Sequence, residues 1–437
     1  MAIWNGSPLG FDRDGNPISY DGNAATLIIG PPGSSKSVGI IAPMLLDDPG
    51  QRSFVVIDPK GEMAAITSRY RRRVSDVKII NPYGLLAAER PDLRSDNWNP
   101  PGELDPASRT FGDDCAALCG ALIKTDSNEH QKHFPDSARE GITGVTMFTV
   151  RDARARGAVP RLPDVREIMC LEPKALRAAV ERMMQLGDYD INTRLQKFLA
   201  ETNEIGSIRS TIETQTAWMS QIMREDMDTV SGVKFRDIKR RPATIYVILP
   251  TEELQRKAVW LRLVLSAALR ACYQPGGVPV TLGIEEGYVL GHHAEIESAL
   301  SILRGFNGRM AIVFQSLSQI KQLYPHTWGL FGNGAVLSFR PGDVETAEWL
   351  SKRAGEVTCT TLSAADPSSP TDYMVRPSWS QQKRPRIPLG KMFGMPNGRA
   401  LVWLPGDEAP RVSRIRGYFE IPALNRFADA NPYFRGR

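Results

Sequence analysis

The stretch LIIGPPGSSKS, Leu27 to Ser37, constrains this chain more than any other. An apolar run from Ala24 to Ile29 reads as a buried strand. It enters a loop of Gly30, Pro31, Pro32, Gly33, Ser34, Ser35, Lys36 and Ser37, and the apolar residues Val38 to Leu46 read as a helix. Strand, glycine-containing loop, Lys-Ser and helix is the layout of a phosphate-binding loop. Unpaired N–H groups at the loop and the helix start point at one spot with the helix dipole behind them, and a nucleotide's phosphates fill it. Lys36 is expected to reach the β- and γ-phosphates and Ser37 to put its hydroxyl on Mg²⁺. The pattern departs from G-x-x-x-x-G-K-[ST] at Ser35, where glycine is usual. If that position needs a left-handed backbone, serine costs roughly 1 kcal/mol or more.

A chain of 437 residues with 42% hydrophobic content can hold two or three compact units, or one large core with an insertion. Its net charge of +5 permits a basic groove for nucleic acid without demanding one. No apolar run approaches the ~18 residues that span a bilayer, and Met1 to Gly10 has neither the charged start nor the apolar stretch of a signal peptide. The five cysteines are scattered and odd in number, which suits a reducing cytosol. Cys115 and Cys119 lack further Cys or His neighbours and read as core. His130 and His133 are equally weak as metal ligands.

Along the chain, Asn-Gly and Asp-Gly turns in residues 1–23 outline a hairpin. Ser53 to Ile57 reads as a second strand ending in Asp58-Pro59-Lys60-Gly61-Glu62, and Val77 to Ile80 as a third. Strands alternating with helices imply a parallel sheet covered on both faces, with ligands beyond the carboxyl ends of the strands. Arg69, Arg71, Arg72 and Arg73 form the densest positive cluster. It reads as a solvated helix end, with a DNA-phosphate patch as the alternative. From about 103 to 232 the pattern turns helical, as an all-α insertion. Strands resume at Ala243 to Leu249, Val278 to Ile284, Arg309 to Phe314, Ala335 to Phe339 and Ala400 to Leu404. Thr251 is placed to cap a long helix through Cys272. Residues 360–390 read as a long exposed segment, and residues 411–437 as a basic, partly packed tail. The expected fold is α/β, a RecA-like P-loop core with a mainly parallel sheet. Residues 1–102 and 233–437 form its two parts, and residues 103–232 interrupt it.

The chemistry needs a carboxylate centre, and VTLGIEE supplies one. Glu285 would hold Mg²⁺ and Glu286 would polarise the attacking water as general base. The usual metal-side residue is aspartate, so Glu285 is a second departure. Gln315, ending the next strand, either orients water or satisfies loop backbone. Arg304, in SILRGFNGR, is either a surface residue or an arginine finger for a neighbouring subunit's site.

Several blocks together resemble the type IV secretion coupling proteins, the TraG/TrwB-like conjugative transfer ATPases. They are GPPGSSKSVGIIAPMLL, VVIDPKGE, DSAREGITGV, DIKRRPATIYVILP, IEEGYVLG, LRGFNGRMAIVFQSLSQIKQLYP, DVETAEWLSKRAGEVT and the closing GRALVWLPG and IRGYFE. They keep the family's order from about residue 8 to 420. The resemblance implies a RecA-like ATPase core carrying an all-α domain, assembled as a homo-hexamer around a channel. It implies ATP and Mg²⁺ as cofactors. It also implies delivery of relaxase-bound single-stranded DNA, or of effector proteins, to type IV secretion channel components at the cytoplasmic face of the inner membrane. By position it assigns Lys36 and Ser37 to the nucleotide, Glu285 and Glu286 to metal and base, Gln315 to a sensor-like role and Arg304 to a site across subunits. The family's N-terminal membrane segments do not appear in this sequence, so a cytosolic portion or a soluble variant is expected, monomeric when unassembled. The alternatives are a substrate receptor that binds nucleotide weakly or not at all, favoured by Ser35 and Glu285, and a DNA-pumping ATPase of the FtsK/HerA kind.

Overall fold

The structure, a computed structural model, describes residues 2–123, 133–200, 203–230, 232–364 and 377–433. His130 and the middle of the 360–390 stretch therefore lie outside the described residues.

The β-rich runs form strands as follows. A hairpin of β1 (Ser7–Phe11) and β2 (Pro17–Tyr20) precedes β3 (Thr26–Ile29), which enters the phosphate-binding loop. Beyond it lie α1 (Ala42–Asp47), β4 (Ser53–Asp58), α2 (Glu62–Val74) and β5 (Asp76–Ile80). The chain then runs through α3 (Phe111–Leu122), α4 (His133–Ala155), α5 (Leu162–Met169), α6 (Pro173–Met184), α7 (Tyr189–Leu195), α8 (Asn203–Thr216) and α9 (Gln221–Met227), with no strand among the described residues. It returns through β6 (Ala243–Ile248), α10 (Ala258–Cys272), β7 (Val280–Ile284), α11 (Ala294–Ile302), β8 (Gly308–Phe314), α12 (Leu317–Leu323), β9 (Ala335–Phe339) and α13 (Val344–Arg353). The remaining elements are β10 (Glu356–Ala364), β11 (Pro377–Pro385), α14 (Leu389–Phe393), β12 (Arg399–Trp403), β13 (Arg411–Arg414) and α15 (Pro422–Asn425).

Eleven strands make one sheet in the order β2-β1-β13-β12-β9-β3-β8-β7-β4-β6-β5. From β9 to β5 every pairing is parallel; β12, β13, β1 and β2 extend the β9 edge antiparallel. A strand's side chains alternate between faces, so a continuous apolar strand must be covered twice. Leu27, Val55, Ile57, Ile312 and Phe314 enter one core with α10 and the helical stretch. Ile28, Phe54, Val56, Ala311 and Val313 enter the other with α1 and α2. Trp98 joins the helical stretch to the sheet by meeting Phe235 and Trp260 edge-on, with ring centroids 5.4 and 6.5 Å apart.

One expectation changes and three gain detail. Thr251 opens only a short 3₁₀ turn, Thr251–Glu253, and α10 starts at Ala258. The break turns Lys257 inward, where its ammonium donates to the Trp218 carbonyl at 2.8 Å. The described parts of 360–390 form an antiparallel ribbon of β10 and β11, since the Val- and Thr-rich run Val357 to Thr361 has high strand propensity. The tail contributes β13 to the main sheet, with Ser413 buried and its hydroxyl donating to the Leu9 carbonyl at 2.6 Å.

The arginine cluster is divided: Arg69, Arg72 and Arg73 are exposed towards the end of α2, as a solvated helix end requires, and Arg71 is not. Arg71 is wholly buried; it lies over the Phe54 ring and donates to the Leu45, Asp48 and Arg52 carbonyls, to the Asp48 carboxylate and to the Thr244 hydroxyl. Arg72 donates to the Asp92 carbonyl, and Arg69 pairs with Asp429. Removing one partner of a buried ion pair strands the other, at about 3–5 kcal/mol. Arg71→Ala is expected to lower the unfolding free energy by that amount, read from the urea midpoint, whereas Arg73→Ala changes it by less than about 0.5 kcal/mol.

Candidate functional site

Parallel pairing brings three strand ends side by side: β3 pairs with β8, and β8 with β7. The phosphate-binding loop follows β3, Gln315 follows β8, and Glu285-Glu286 follow β7. The strand carrying the glutamine therefore lies between the loop and the two acids.

The loop is shaped by its small residues. A Cβ on Gly30 would lie 2.6 Å from the Ser34 hydroxyl oxygen and 3.0 Å from Phe339. Gly33 and Ser35 both take left-handed backbone, with φ of 77° and 65°. Ser35 thus occupies the conformation that favours glycine there, and the helix begins immediately afterwards as π turns, Ser37–Ile41, continuing into α1. The Lys36 ammonium folds onto its own loop, donating to the Gly30 and Pro31 carbonyls at 2.7 and 2.8 Å and to the Ser34 hydroxyl at 3.3 Å. Burial pushes its pKa down to about 8, against the opposing pull of Glu286 and Glu285.

The acids divide into two groups. Glu286 accepts from the Gln315 amide, 3.3 Å from each carboxylate oxygen; burial raises its pKa, while Gln315 and Lys36 oppose the shift. Glu285 is raised well above the usual carboxylate range by burial and by Asp58 and Glu62, with the Ser37 hydroxyl bonded to it. Asp58, fully buried at the end of β4, accepts from the Ala64 N–H at 2.8 Å. Burial pushes its pKa up to about 7; backbone donors pull it back and Glu62 adds to the rise.

Asp58 Oδ1 and Glu285 Oε1 are buried without a hydrogen-bond partner among the described residues. Two orphaned carboxylate oxygens beside the Ser37 hydroxyl fit a hard cation that draws its other ligands from phosphates and water. Mg²⁺ at phosphate sites uses one or two carboxylates rather than a protein cage. No group of three His, Cys, Asp or Glu residues able to hold a metal by themselves occurs among the described residues.

Lys36, Ser37, Glu285, Glu286 and Gln315 are thus brought together. Arg304 is not: it is exposed on the turn before β8, at the opposite end of a seven-residue strand roughly 23 Å long. Sequence reasoning gave no role to Asp58 and Glu62, although Asp58 repeats the apolar-strand-then-acid signal of Glu285. It also missed Asn431 and Tyr433, whose sequence carries no such signal. The Asn431 amide donates to Glu62 at 2.6 Å, and the Tyr433 hydroxyl donates to the Lys60 carbonyl at 2.6 Å.

The strand order, with a glutamine-bearing strand between the loop and the acids, defines a RecA-like P-loop NTPase fold. A sequence profile described as "Type IV secretory system Conjugative DNA transfer" matches residues 2–431, and the chain belongs to that family. It is 22% identical over 464 residues to the "Conjugal transfer protein TraG" of Escherichia coli, covering 98% of this chain and 70% of that protein. In structure it is similar to the unbound "Bacterial conjugative coupling protein TrwBdeltaN70", with a TM-score of 0.70, 15% identity and 93% and 88% of the two chains covered. It is similar also to the "Plasmid coupling protein TrwB in complex with ADP and Mg2+", with a TM-score of 0.68, 15% identity and 93% and 89% covered. Among the described residues no helix is long and apolar enough to cross a membrane.

Two outcomes are expected here. Ser35→Gly removes left-handed strain of about 1–2 kcal/mol, partly offset by glycine's unfolded-state entropy, so a net gain of roughly 0.5–1 kcal/mol should raise the urea midpoint at unchanged slope. A carboxyl whose folded pKa is about 7, against 3.8, holds more protons folded than unfolded between those values. Stability therefore falls as pH rises through that window, and Asp58→Asn should flatten that part of the urea-midpoint profile.

Proposed function

We propose that this chain is an ATP-driven coupling protein that recruits relaxase-bound single-stranded DNA or effector proteins. It delivers them to a type IV secretion channel at the cytoplasmic face of the inner membrane. The observation that carries this reading is the meeting of Lys36, Ser37, Glu285, Glu286 and Gln315 beyond three neighbouring parallel strands, in a chain of the conjugative transfer family.

ATP is the proposed substrate, and the ADP and Mg²⁺ of the TrwB complex support the cofactor assignment. Loop N–H groups and Lys36 bind the β- and γ-phosphates. Arriving phosphates draw the Lys36 ammonium off the Gly30 and Pro31 carbonyls and restore its full charge. Glu286 accepts a proton from the attacking water while Gln315 fixes its carboxylate. Asp58, Glu285 and Ser37 would hold Mg²⁺, which would supply positive charge against the phosphates as negative charge develops there. The exposed Arg304 serves a neighbouring copy's site in a homo-hexamer, which explains its separation from its own.

Steady-state ATPase activity with and without single-stranded DNA, over a range of protein concentrations at stated salt, tests the reading. Activity that rises with DNA and more than linearly with protein is expected. Lys36→Ala should abolish turnover and weaken nucleotide binding; unchanged turnover rejects the site. Arg304→Ala should lose hydrolysis yet keep ATP binding by the monomer, and lost binding there moves the arginine into its own subunit's site. Inactivity under every condition, with Lys36→Ala indistinguishable from wild type, favours a docking platform for substrates.

A further inference from the structure

The opposite end of the parallel strands carries a second concentration of charge. Arg52 immediately precedes β4, and Arg309 is the second residue of β8, so both sit where the strands begin, away from the nucleotide loop. They line a cavity of about 80 Å³ together with Trp4, Met44, Asp47 and Asp48. Arg309 is only 7% exposed. Its Nη2 donates to the Asp21 carbonyl at 3.0 Å and the Asn23 side-chain oxygen at 3.3 Å. Its Nη1 is buried and has no partner among the described residues, and the same is true of Arg52 Nη1.

The acids nearby attract these cations, Asp21 both of them and Asp48 Arg52, yet no carboxylate oxygen bonds either Nη1. Asp47 accepts from the Ile3 and Trp4 N–H groups, at 2.8 to 3.0 Å. Asp48 Oδ1 accepts from the Gly50 and Gln51 N–H groups and from Arg71. Asp48 Oδ2 lies 4.0 Å from Arg52 Nε, at the limit of an ion pair. Burial, and then the charge of Arg52, lower the Arg309 pKa to about 10. Two like charges with unmet donors are thus held side by side, and an unmet charged donor in a buried site is costly. An acceptor with several oxygens, reached by two guanidinium groups, relieves both the repulsion and the unmet donors. The cavity is roomy enough for one such group, several times the ~10–15 Å³ that a single water needs.

We propose that the Arg52–Arg309 cavity is a binding site for one phosphate group, separate from the nucleotide loop. The phosphate is supplied either free or by a nucleic-acid backbone. The site does not rest on the ATPase reading, because it uses none of that site's residues.

The test follows thermal unfolding midpoints in rising inorganic phosphate at constant ionic strength for wild type, Arg52→Gln, Arg309→Gln and Lys36→Ala. Wild type should gain about 3 °C at a hundredfold excess over Kd. Arg52→Gln and Arg309→Gln should each lose at least half of that gain, and Lys36→Ala should keep the arginine-dependent part. If Arg309→Gln does not fold, Arg52→Gln, whose side chain is 25% exposed, carries the comparison. No gain in wild type, an undiminished gain in the arginine variants, or a gain lost wholly with Lys36→Ala overturns the proposal. Binding of a fifteen-nucleotide single strand then separates the sources. Weaker binding by Arg52→Gln, with a salt slope smaller by about one, identifies a backbone phosphate; unchanged DNA binding identifies free phosphate.

Discussion

Parallel pairing of β7, β8 and β3 is the constraint on which the rest of this molecule depends. These strands are fully buried and covered on both faces, so their register is fixed by two cores at once. A slip of one residue would exchange Ile28 for Leu27 and send each strand's side chains into the wrong core. The same register sets Glu286 against Gln315 and both near the loop after β3. The site's precision is therefore borrowed from apolar packing that touches none of its polar groups.

Electrostatics then works against the fold in order to serve the site. Asp58, Glu62 and Glu285 crowd together in a buried space, and two carboxylate oxygens there have no partner. Lys36 is bent back onto loop carbonyls with its pKa reduced. Each feature is costly in isolation, and each would be relieved by a ligand of opposite charge. On the proposed function, a phosphate chain would answer the lysine and a divalent cation the acids. The left-handed Ser35 adds backbone strain to the same loop.

The rest of the chain braces this arrangement from a distance. Arg71 ties the end of α1 to α2 through a fully buried guanidinium. The C-terminal residues run back over α2, where Phe427 packs on Tyr70 with ring centroids 4.7 Å apart. Asn431 and Tyr433 then reach the turn between Asp58 and Glu62. The tail is thus part of the wall around the acids.

Local pattern alone determined the strand–loop–helix around Lys36, the acids after an apolar strand at Glu285-Glu286, the helical character of the middle of the chain and the overall α/β class. Each of these is written in residues adjacent in sequence, through hydrophobic period and turn chemistry. Only the tertiary structure decided which strands are neighbours, and so that Gln315 meets Glu286, while Arg304 lies at the far end of the same strand. It alone buried Arg71 within what reads as a solvated basic run, broke the helix expected at Thr251, and paired part of a polar stretch as a ribbon. It alone brought Asn431 to Glu62 and Arg309 beside Arg52, each across more than 200 residues of sequence. Contacts between distant segments depend on how whole layers pack, and no periodicity within a short window carries that information.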